Sequence, residues 1–585
     1  NLNVTTVFPN GLASRFHQVV YMPVTEDAAQ DTREFAFSYQ GDKQVVTLRA
    51  AKVYRSDGKV DEAVDTGEAG VANPAISMYT STRTFYVRFP RLSPGDIVEL
   101  RYRVEDVSLR NEIADYFGEV EYLQSDEPIG SSEYILISPK TKKMNVFVSP
   151  LPGLKQETTE SGDQSILRIS ASDVAPIVPE SAMPPWSEVL AHVHVSTFKT
   201  WDEVGAFYWG LAKDQLDVDD EVRKKVRELT KGLKDDASKV KAIYKYVTEL
   251  RYVALELGIE GIRPRRASQT MARGWGDCKD KAAVIVTMLR EIGIPATMVL
   301  VRTQMRGGFE NEPASLAPFD HAIAYVPSLD LYLDGTAEHT GSTELPVMDR
   351  NAFALQINEG KPKLVHLPQP GIDASTLKRQ VEVTLAADGS AQLASDTTVT
   401  GAFAPEWRMR YLAEGTRRDR LTRDLASDFG PIELATGKGS VETSDMDNEE
   451  EAVHVKAKAK ASAFARKEGE TLSAPAGPLQ RLAASLASQS SRTQDVVVGP
   501  LNTHEETWTI KLPAGAKATR VPLPLSMDTP FGSFAIKVED ANGKVTVKST
   551  LILKKTRIAP GEYQGWRAFC EAVDRAFGQR VVVGK

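Results

Sequence analysis

Apolar and polar residues trade places at every second position in parts of the first 175 residues. Residues 84–89 (TFYVRF) and 97–104 (IVELRYRV) alternate in this way, as half-buried strands require. Residues 44–54 (QVVTLRAAKVY) form another strand-like run. It ends at Arg55-Ser56-Asp57-Gly58, where Asp-Gly supplies a position of positive φ. Ser93-Pro94-Gly95-Asp96 is a second turn, and residues 133–138 and 144–148 read as a further strand pair. Short strands with spaced turns predict a β-sandwich. Residues 175–186 (APIVPESAMPPW) then hold four prolines. Proline removes backbone donors and favours extended neighbours, so a linker or boundary is expected there.

Past the prolines the period becomes helical. Thr200-Trp201-Asp202-Glu203 has the form of a capping box, hydroxyl and carboxylate each satisfying a free N–H. Val222, Val226, Leu229 and Leu233 share one helical stripe. Val240, Ile243, Tyr244, Val247 and Leu250 share a second, after an Asp236 cap. Residues 251–257 (RYVALEL) read as extended. A helix is expected from Cys278 to Gly293, then strands near 296–302, 321–326 and 330–333. Beyond residue 375 the alternation returns. Ala386-Asp388-Gly389 and Asn542-Gly543 predict hairpins, and 405–428 a helical insert. Residues 563–577 predict an amphipathic helix with Trp566, Phe569, Cys570, Val573 and Phe577 inward.

The expected architecture is multidomain α+β. It comprises a β-sandwich at 1–175, a proline-rich linker at 176–198, a mixed core at 199–372 and a C-terminal β domain at 373–585 with a helical insert and a terminal helix. A chain of 585 residues has room for three or four domains. Lys+Arg number 71 and Asp+Glu 79, a net charge of −8 that argues against a nucleic-acid partner. No apolar run is long enough for a transmembrane helix. Two cysteines, Cys278 and Cys570, exclude a disulfide framework and a multi-thiolate zinc site. GxxxxGK[ST], HExxH and CxxC are all missing, so no cofactor or metal is expected. The first residue is Asn1, as in a mature form or an excised fragment.

The candidate chemistry starts at Gly274-Trp275-Gly276-Asp277-Cys278-Lys279-Asp280. Asp277 is a good N-cap, which places Cys278 in the first helical turn. Unpaired N–H groups and the helix dipole stabilise a thiolate there, and the thiolate is the nucleophile. The same N–H groups can donate to an oxyanion beside the sulfur. The glycines let backbone approach a substrate without a Cβ in the way. Free cysteine is often merely buried, but a core cysteine more often sits mid-helix among apolar neighbours than between two aspartates. Further on, Asp320-His321-Ala322 opens one strand, and Leu333-Asp334-Gly335-Thr336 ends the next. Adjacent short strands usually pair antiparallel, bringing Asp334 near His321. Alone, His321 reads as an ordinary strand histidine and Asp334 as a turn former. Thiol, imidazole and carboxylate together are the parts of a papain-type relay.

Residues about 236–346 resemble the transglutaminase-like superfamily, a papain-like cysteine fold. The resemblance rests on Gly276-Asp277-Cys278-Lys279-Asp280, Asp320-His321-Ala322 and Leu333-Asp334-Gly335-Thr336, in the family's order Cys, His, Asp. It implies Cys278 as nucleophile, His321 as base and acid, and Asp334 as orienting carboxylate. It also implies an upstream oxyanion donor, for which Trp275, Tyr246 and Tyr252 are candidates. The flanks resemble multidomain bacterial proteins with an N-terminal β-rich domain of unknown function. The implied chemistry is acyl transfer from an amide of a protein or peptide substrate to water or an amine, through a thioester. The alternative is a catalytically silent transglutaminase-like module that binds peptide or glycan. An extracytoplasmic bacterial location is the expectation from the resemblance; the oligomeric state is left open.

Other residues carry weaker signals. His192 and His194 share one strand face as a metal pair for assisted hydrolysis could, but no third ligand is near in sequence, and a solvated face is the default reading. His339 lies in a loop after Asp334 and is a substrate-contact candidate. Lys456, Lys458 and Lys460 read as the outer face of an edge strand. The cluster Arg263–Arg266 reads as a solvated loop first and an anionic groove second. Cys570 reads as core packing.

Overall fold

The structure, a computed structural model, describes residues 1–70, 81–108, 110–111, 113–254, 261–309 and 312–584. They form two compact units. The first comprises residues 1–178, 186–330 and 353–365; the second comprises 179–185, 331–352 and 366–585.

In the first unit the alternating segments build an eight-stranded sheet. Its order is Lys155–Ser161, Gln164–Val174, Ile129–Pro139, Leu2–Val7, Ala13–Tyr21, Ile97–Asp106, Gln44–Tyr54 and Val60–Glu62. A three-stranded sheet of Glu34–Gln40, Thr82–Arg88 and Asp65–Gly70 supplies Phe85 and Val87, which pack with Val98, Leu100 and Tyr102 of the large sheet. A second three-stranded sheet orders Asn145–Val148, His192–Ser196 and Gly118–Tyr122, and its Val193 and Val195 share a core with Val7, Tyr134 and Ile169. Alternation on strands such as Ile129–Pro139, apolar inward, is what makes these faces stick. Residues 133–138 and 144–148 do not pair with each other. The former lie beside Gln164–Val174 and the latter beside His192–Ser196, so the turn between them carries the chain from one sheet to another.

The rest of this unit is helical around a small sheet. Its helices are Trp201–Ala212, Asp220–Thr230, Asp236–Thr248, Ala267–Arg273 and Cys278–Glu291. Thr200 caps the first, accepting from the Glu203 N–H at 3.3 Å, but the Glu203 carboxylate reaches back to the Lys199 N–H at 2.8 Å instead of that of Thr200. Asp235, not Asp236, caps the third helix, accepting from the Ser238 N–H at 2.8 Å. Leu233 lies past its helix, which ends at Thr230. Of the run 251–257, Arg251–Tyr252 pairs in parallel with Trp275–Gly276, and 255–257 lie outside the described residues. Thr297–Arg302 pairs antiparallel with both His321–Val326 and Phe353–Gln356. The Cys278 helix is buried at every residue from 279 to 289 and packs against the His321 strand.

The second unit is built on a nine-stranded sheet. Thr376–Leu385 and Ala391–Val399 form its first hairpin, and Gly532–Ala541 and Lys544–Leu553 its last, turning at Asn542 and Gly543 with φ of 55° and 70°. The helical insert is two helices, Ala404–Tyr411 and Glu414–Phe429. Tyr563–Phe577 buries Trp566, Phe569, Cys570 and Val573 in the core with Trp508 and Phe534. That helix is not terminal: Arg580–Gly584 follows and pairs with Thr471–Pro475 and Lys517–Arg520, because its apolar run completes a small sheet. Val453–Ala461, bearing Lys456, Lys458 and Lys460, is not an edge. It pairs with Ala391–Val399 on one side and with Ile432–Leu434 and Val441–Thr443 on the other. The proline-rich stretch is anchored at Glu180, whose carboxylate meets Arg492 at 3.1 Å and the Thr493 N–H at 2.7 Å. No helix among the described residues is long and apolar enough to cross a membrane.

Candidate active site

Cys278 is the first residue of its helix and is half-buried. A reciprocal capping box holds that helix end: the Asp277 carboxylate accepts from the Asp280 N–H at 3.2 Å, and Asp280 accepts from the Asp277 N–H at 3.4 Å. Buried carboxylates need partners. Asp277 is paired with Lys279. Burial, then Asp280, push the Asp277 carboxyl upward against that lysine. Asp280 takes Arg265, guanidinium at 2.9 Å and backbone N–H at 2.8 Å. One arginine of the cluster read as a solvated loop is therefore drawn inward. The Lys281 ammonium donates to the carbonyls of Leu250 at 2.7 Å and Thr248 at 3.3 Å, a cation set on the negative end of the Asp236–Thr248 helix. These charges fix the turn that presents the sulfur.

The two glycines before it differ in their local surroundings. Gly274 ends the preceding helix at φ 71°. A Cβ on Gly276 would sit 2.8 Å from both Asp280 Cβ and Thr270 Cγ2.

Cys278 opens on a cavity of about 360 Å³ whose wall also includes His321, Tyr208, Tyr252, Asp320 and Arg306. His321 is buried and starts its strand opposite Val301. Asp320 ties that strand end down, accepting from the Thr303 N–H at 2.8 Å and hydroxyl at 2.7 Å. Asp334 belongs to the second unit. It follows the strand Leu331–Leu333, is 1% exposed, and accepts from the Thr336 N–H at 2.8 Å and hydroxyl at 2.7 Å. His339 is also in that unit, at φ 61°, its carbonyl accepting from Arg408 at 2.7 Å.

Of the aromatic candidates, Tyr252 lines the cavity, while Tyr246 and Trp275 do not. Tyr246 lines a separate groove with Leu229 and Leu233 and lies under the Lys225 ammonium, 5.4 Å away. Trp275 stacks with Arg273 at 5.4 Å. The sequence gives no hint of Tyr208, which reads as one more apolar position of the Trp201–Ala212 helix. It is 1% exposed, lines the cavity, and its hydroxyl meets no hydrogen-bond partner among the described residues. Burial, then the neighbouring Cys278, Asp277 and Asp280, raise that phenol far above its ordinary value, so it stays a neutral O–H donor.

His192 and His194 are not solvated. Their strand is central in its sheet and both side chains are buried. Glu312 is the group that sequence spacing could not supply: one oxygen lies 2.6 Å from His194 Nδ1 and 3.4 Å from His192 Nε2. Burial pushes the Glu312 carboxyl up, but the two imidazoles outweigh it and hold it at about 2. Burial pushes His192 down, and Glu312 more than reverses this, raising it. The rings thus clasp a carboxylate of the loop that leads to His321. Ser196 and Tyr116 grip the same loop, donating to the Ala314 carbonyl at 2.6 Å and meeting the Ser315 hydroxyl at 2.8 Å.

A buried helix opening on cysteine, packed on an antiparallel sheet that begins with histidine, defines a papain-like cysteine fold. Residues 223–325 match the family model of the transglutaminase-like superfamily. Residues 9–178 match the domain of unknown function DUF3857, and 472–583 match DUF3858. A solved structure from Parabacteroides distasonis, named a "putative protease", aligns over 100% of this chain and 98% of its own, with TM-score 0.70 and 14% identity. One from Cytophaga hutchinsonii, named a "putative cysteine protease", aligns over 38% of this chain and 78% of its own, with TM-score 0.17 and 15% identity. A search of curated proteins returned no match. The chain is therefore a multidomain α+β protein with a transglutaminase-like core between β-rich flanks.

Proposed function

We propose that this protein is a cysteine-dependent amide acyltransferase or hydrolase acting on polypeptides. The observation that carries the reading is the shared cavity: the sulfur at a helix start, an imidazole and a phenol with no hydrogen-bond partner among the described residues all line one space. In this reading His321 takes the Cys278 proton and the thiolate attacks the carbonyl carbon of an amide, forming a C–S bond. The carbonyl oxygen becomes an oxyanion, met by first-turn N–H groups and the Tyr208 hydroxyl. Its electron pair then returns, the C–N bond breaks, and His321 delivers its proton to the leaving amine or ammonia. Water or a second amine attacks the thioester and restores the thiol.

Asp334 is proposed to hold the His321 tautomer and stabilise the imidazolium. Support comes from the order Cys278, His321, Asp334 and the brief connection between their two strands. An extracytoplasmic location is proposed from the same resemblance. The test incubates the full chain with a peptide mixture and an isotope-labelled primary amine, read by mass spectrometry. Amine incorporation, deamidation or cleavage, lost in Cys278→Ala and His321→Ala and reduced in Asp334→Asn, supports the proposal. Peptide retention without chemical change by all forms overturns it in favour of a binding module.

A further inference from the structure

The strand Gly118–Tyr122 is the edge of its three-stranded sheet, paired on one side only, with His192–Ser196. The bonds at its two ends fix which of its peptide groups are used. The Leu123 N–H donates to the Ala191 carbonyl at 2.8 Å, and the Thr197 N–H to the Phe117 carbonyl at 3.0 Å. In an antiparallel ladder the hydrogen-bonded positions recur at every second residue. Residues 117, 119, 121 and 123 therefore turn their main-chain groups to the neighbouring strand, and Gly118, Val120 and Tyr122 turn theirs away from it. None of those outward N–H and C=O groups meets another described residue.

Chains usually guard such an edge with proline, lysine or a charge that a docking strand would have to bury. This strand has no proline or lysine. Its two carboxylates already have partners on the large sheet: Glu119 accepts from Thr5 at 2.7 Å and Arg15 at 2.6 Å, and Glu121 from Asn3 at 2.5 Å. The edge starts at the cavity of Cys278, for Gly118 lines that cavity together with the sulfur and His321. Gly118 has no side chain to stand between its peptide and that space, and none can be added. A Cβ there would fall 1.9 Å from the Tyr116 hydroxyl oxygen, itself fixed by the Ser315 hydroxyl at 2.8 Å and the Leu316 N–H at 3.3 Å. From Gly118 the strand runs out to Tyr122, which is exposed. At about 3.3 Å per residue this is roughly 13 Å of edge. The chemical complement of unused main-chain donors and acceptors in a row is another extended main chain.

We propose that the Gly118–Tyr122 edge is a substrate subsite. An extended polypeptide segment adds to it as a further strand, its main chain bonding Gly118, Val120 and Tyr122, and this leads the target amide to Cys278. The inference rests on the acyl-transfer reading for what happens at the sulfur, but not for binding. Recognition through the main chain makes the substrate class an unfolded or extended polypeptide of loosely defined sequence, not a small amide.

The test measures binding by the full-length Cys278→Ala chain, using fluorescence anisotropy. The probe is a labelled peptide alternating Thr and Val around a central Gln, with a series that carries one N-methyl group at successive positions. Each methyl removes one main-chain donor. It should weaken binding about three- to ten-fold at every second position and less than about two-fold in between. Val120→Pro removes the outward N–H at the middle of the edge, a substitution that an edge strand tolerates. It should weaken the parent peptide at least about ten-fold while the melting temperature is kept. If that variant does not fold, the methyl series on the unaltered edge decides alone. No binding of the parent peptide, or a methyl series without a period of two, overturns the subsite. So does a folded Val120→Pro chain that binds the parent peptide unchanged. Sedimentation of both chains tests for a second copy on the edge: a dimer that Val120→Pro dissociates, with peptide binding intact, overturns the subsite as well. Period-two binding without turnover of any peptide by the wild-type chain defeats the acyl-transfer reading and leaves the subsite standing. Turnover without the period does the reverse.

Discussion

Tyr208→Phe separates a catalytic phenol from a structural one. The substitution removes a single oxygen from a side chain that is 1% exposed and whose hydroxyl has no partner among the described residues. A buried hydroxyl left unpaired costs about 1–3 kcal/mol relative to its hydrated state. Phenylalanine keeps the ring and its packing, so the variant should be equally stable or more stable by about 1 kcal/mol, a rise of a few degrees at most in the melting temperature. Activity should move the other way. Loss of one oxyanion donor lowers kcat by about 10²–10³-fold, or roughly 2.7–4 kcal/mol of transition-state stabilisation. KM should change little, because the phenol meets an oxyanion that the ground-state amide lacks. The assay pairs steady-state kinetics on a peptide found by the amine-labelling screen with calorimetric melting. A kcat within about three-fold of wild type refutes the oxyanion role. A variant destabilised by more than about 1 kcal/mol means that the hydroxyl stabilises the fold, and refutes the reasoning from burial.

Native iodoacetamide treatment at neutral pH should alkylate Cys278 and spare Cys570, which is fully buried with its thiol pushed up by burial; peptide mapping that finds Cys570 modified first contradicts this. Gly276→Ala should destabilise the first unit by about 1–3 kcal/mol, since its Cβ meets Asp280 and Thr270 at 2.8 Å, and urea melts read the change. Arg265→Ala leaves Asp280 buried without its cation and should cost about 3–5 kcal/mol; a change under about 1 kcal/mol shows that the pair is dispensable. The Glu312 clasp should be pH-sensitive. Glu312 is depressed to about 2, so its contribution is full above the ordinary carboxyl range and fades as pH falls toward 2. His192 is raised, so its contribution is full below about 6.5 and is lost as pH climbs through its folded value. Hydrogen exchange in residues 303–309 and 312–320 should therefore be slowest between those limits, and a flat profile argues against the clasp.

The legible parts of the sequence were those decided locally. Asp277 announced a helix start because capping depends on residues three apart, and Cys278 follows from it. Asn542-Gly543 announced its hairpin because positive φ selects those residues. Failures came where tertiary partners decide. Nothing near His192 and His194 in the chain foretells Glu312, and their burial depends on strands at 118–122 and 145–148. The lysine-bearing strand at 453–461 alternates just as an edge strand does, and only its two sets of neighbours make it central. Tyr208 is chemically silent in a helical stripe until the cavity it faces is known. The N-terminal wall of the cavity, Ile113, Tyr116 and Gly118, lies some 160 residues before the cysteine and carries no motif.

Cys278 forming an acyl bond to its substrate is what the whole functional reading needs, and acid quenching can catch it. The full chain, mixed with a reactive peptide and quenched within the first turnovers, is digested and mapped by mass spectrometry. The account predicts a hydroxylamine-labile acyl adduct on the Cys278 peptide, absent from Cys278→Ser and from Cys570. Turnover at undiminished rate by Cys278→Ser, or an adduct on any other residue, contradicts it.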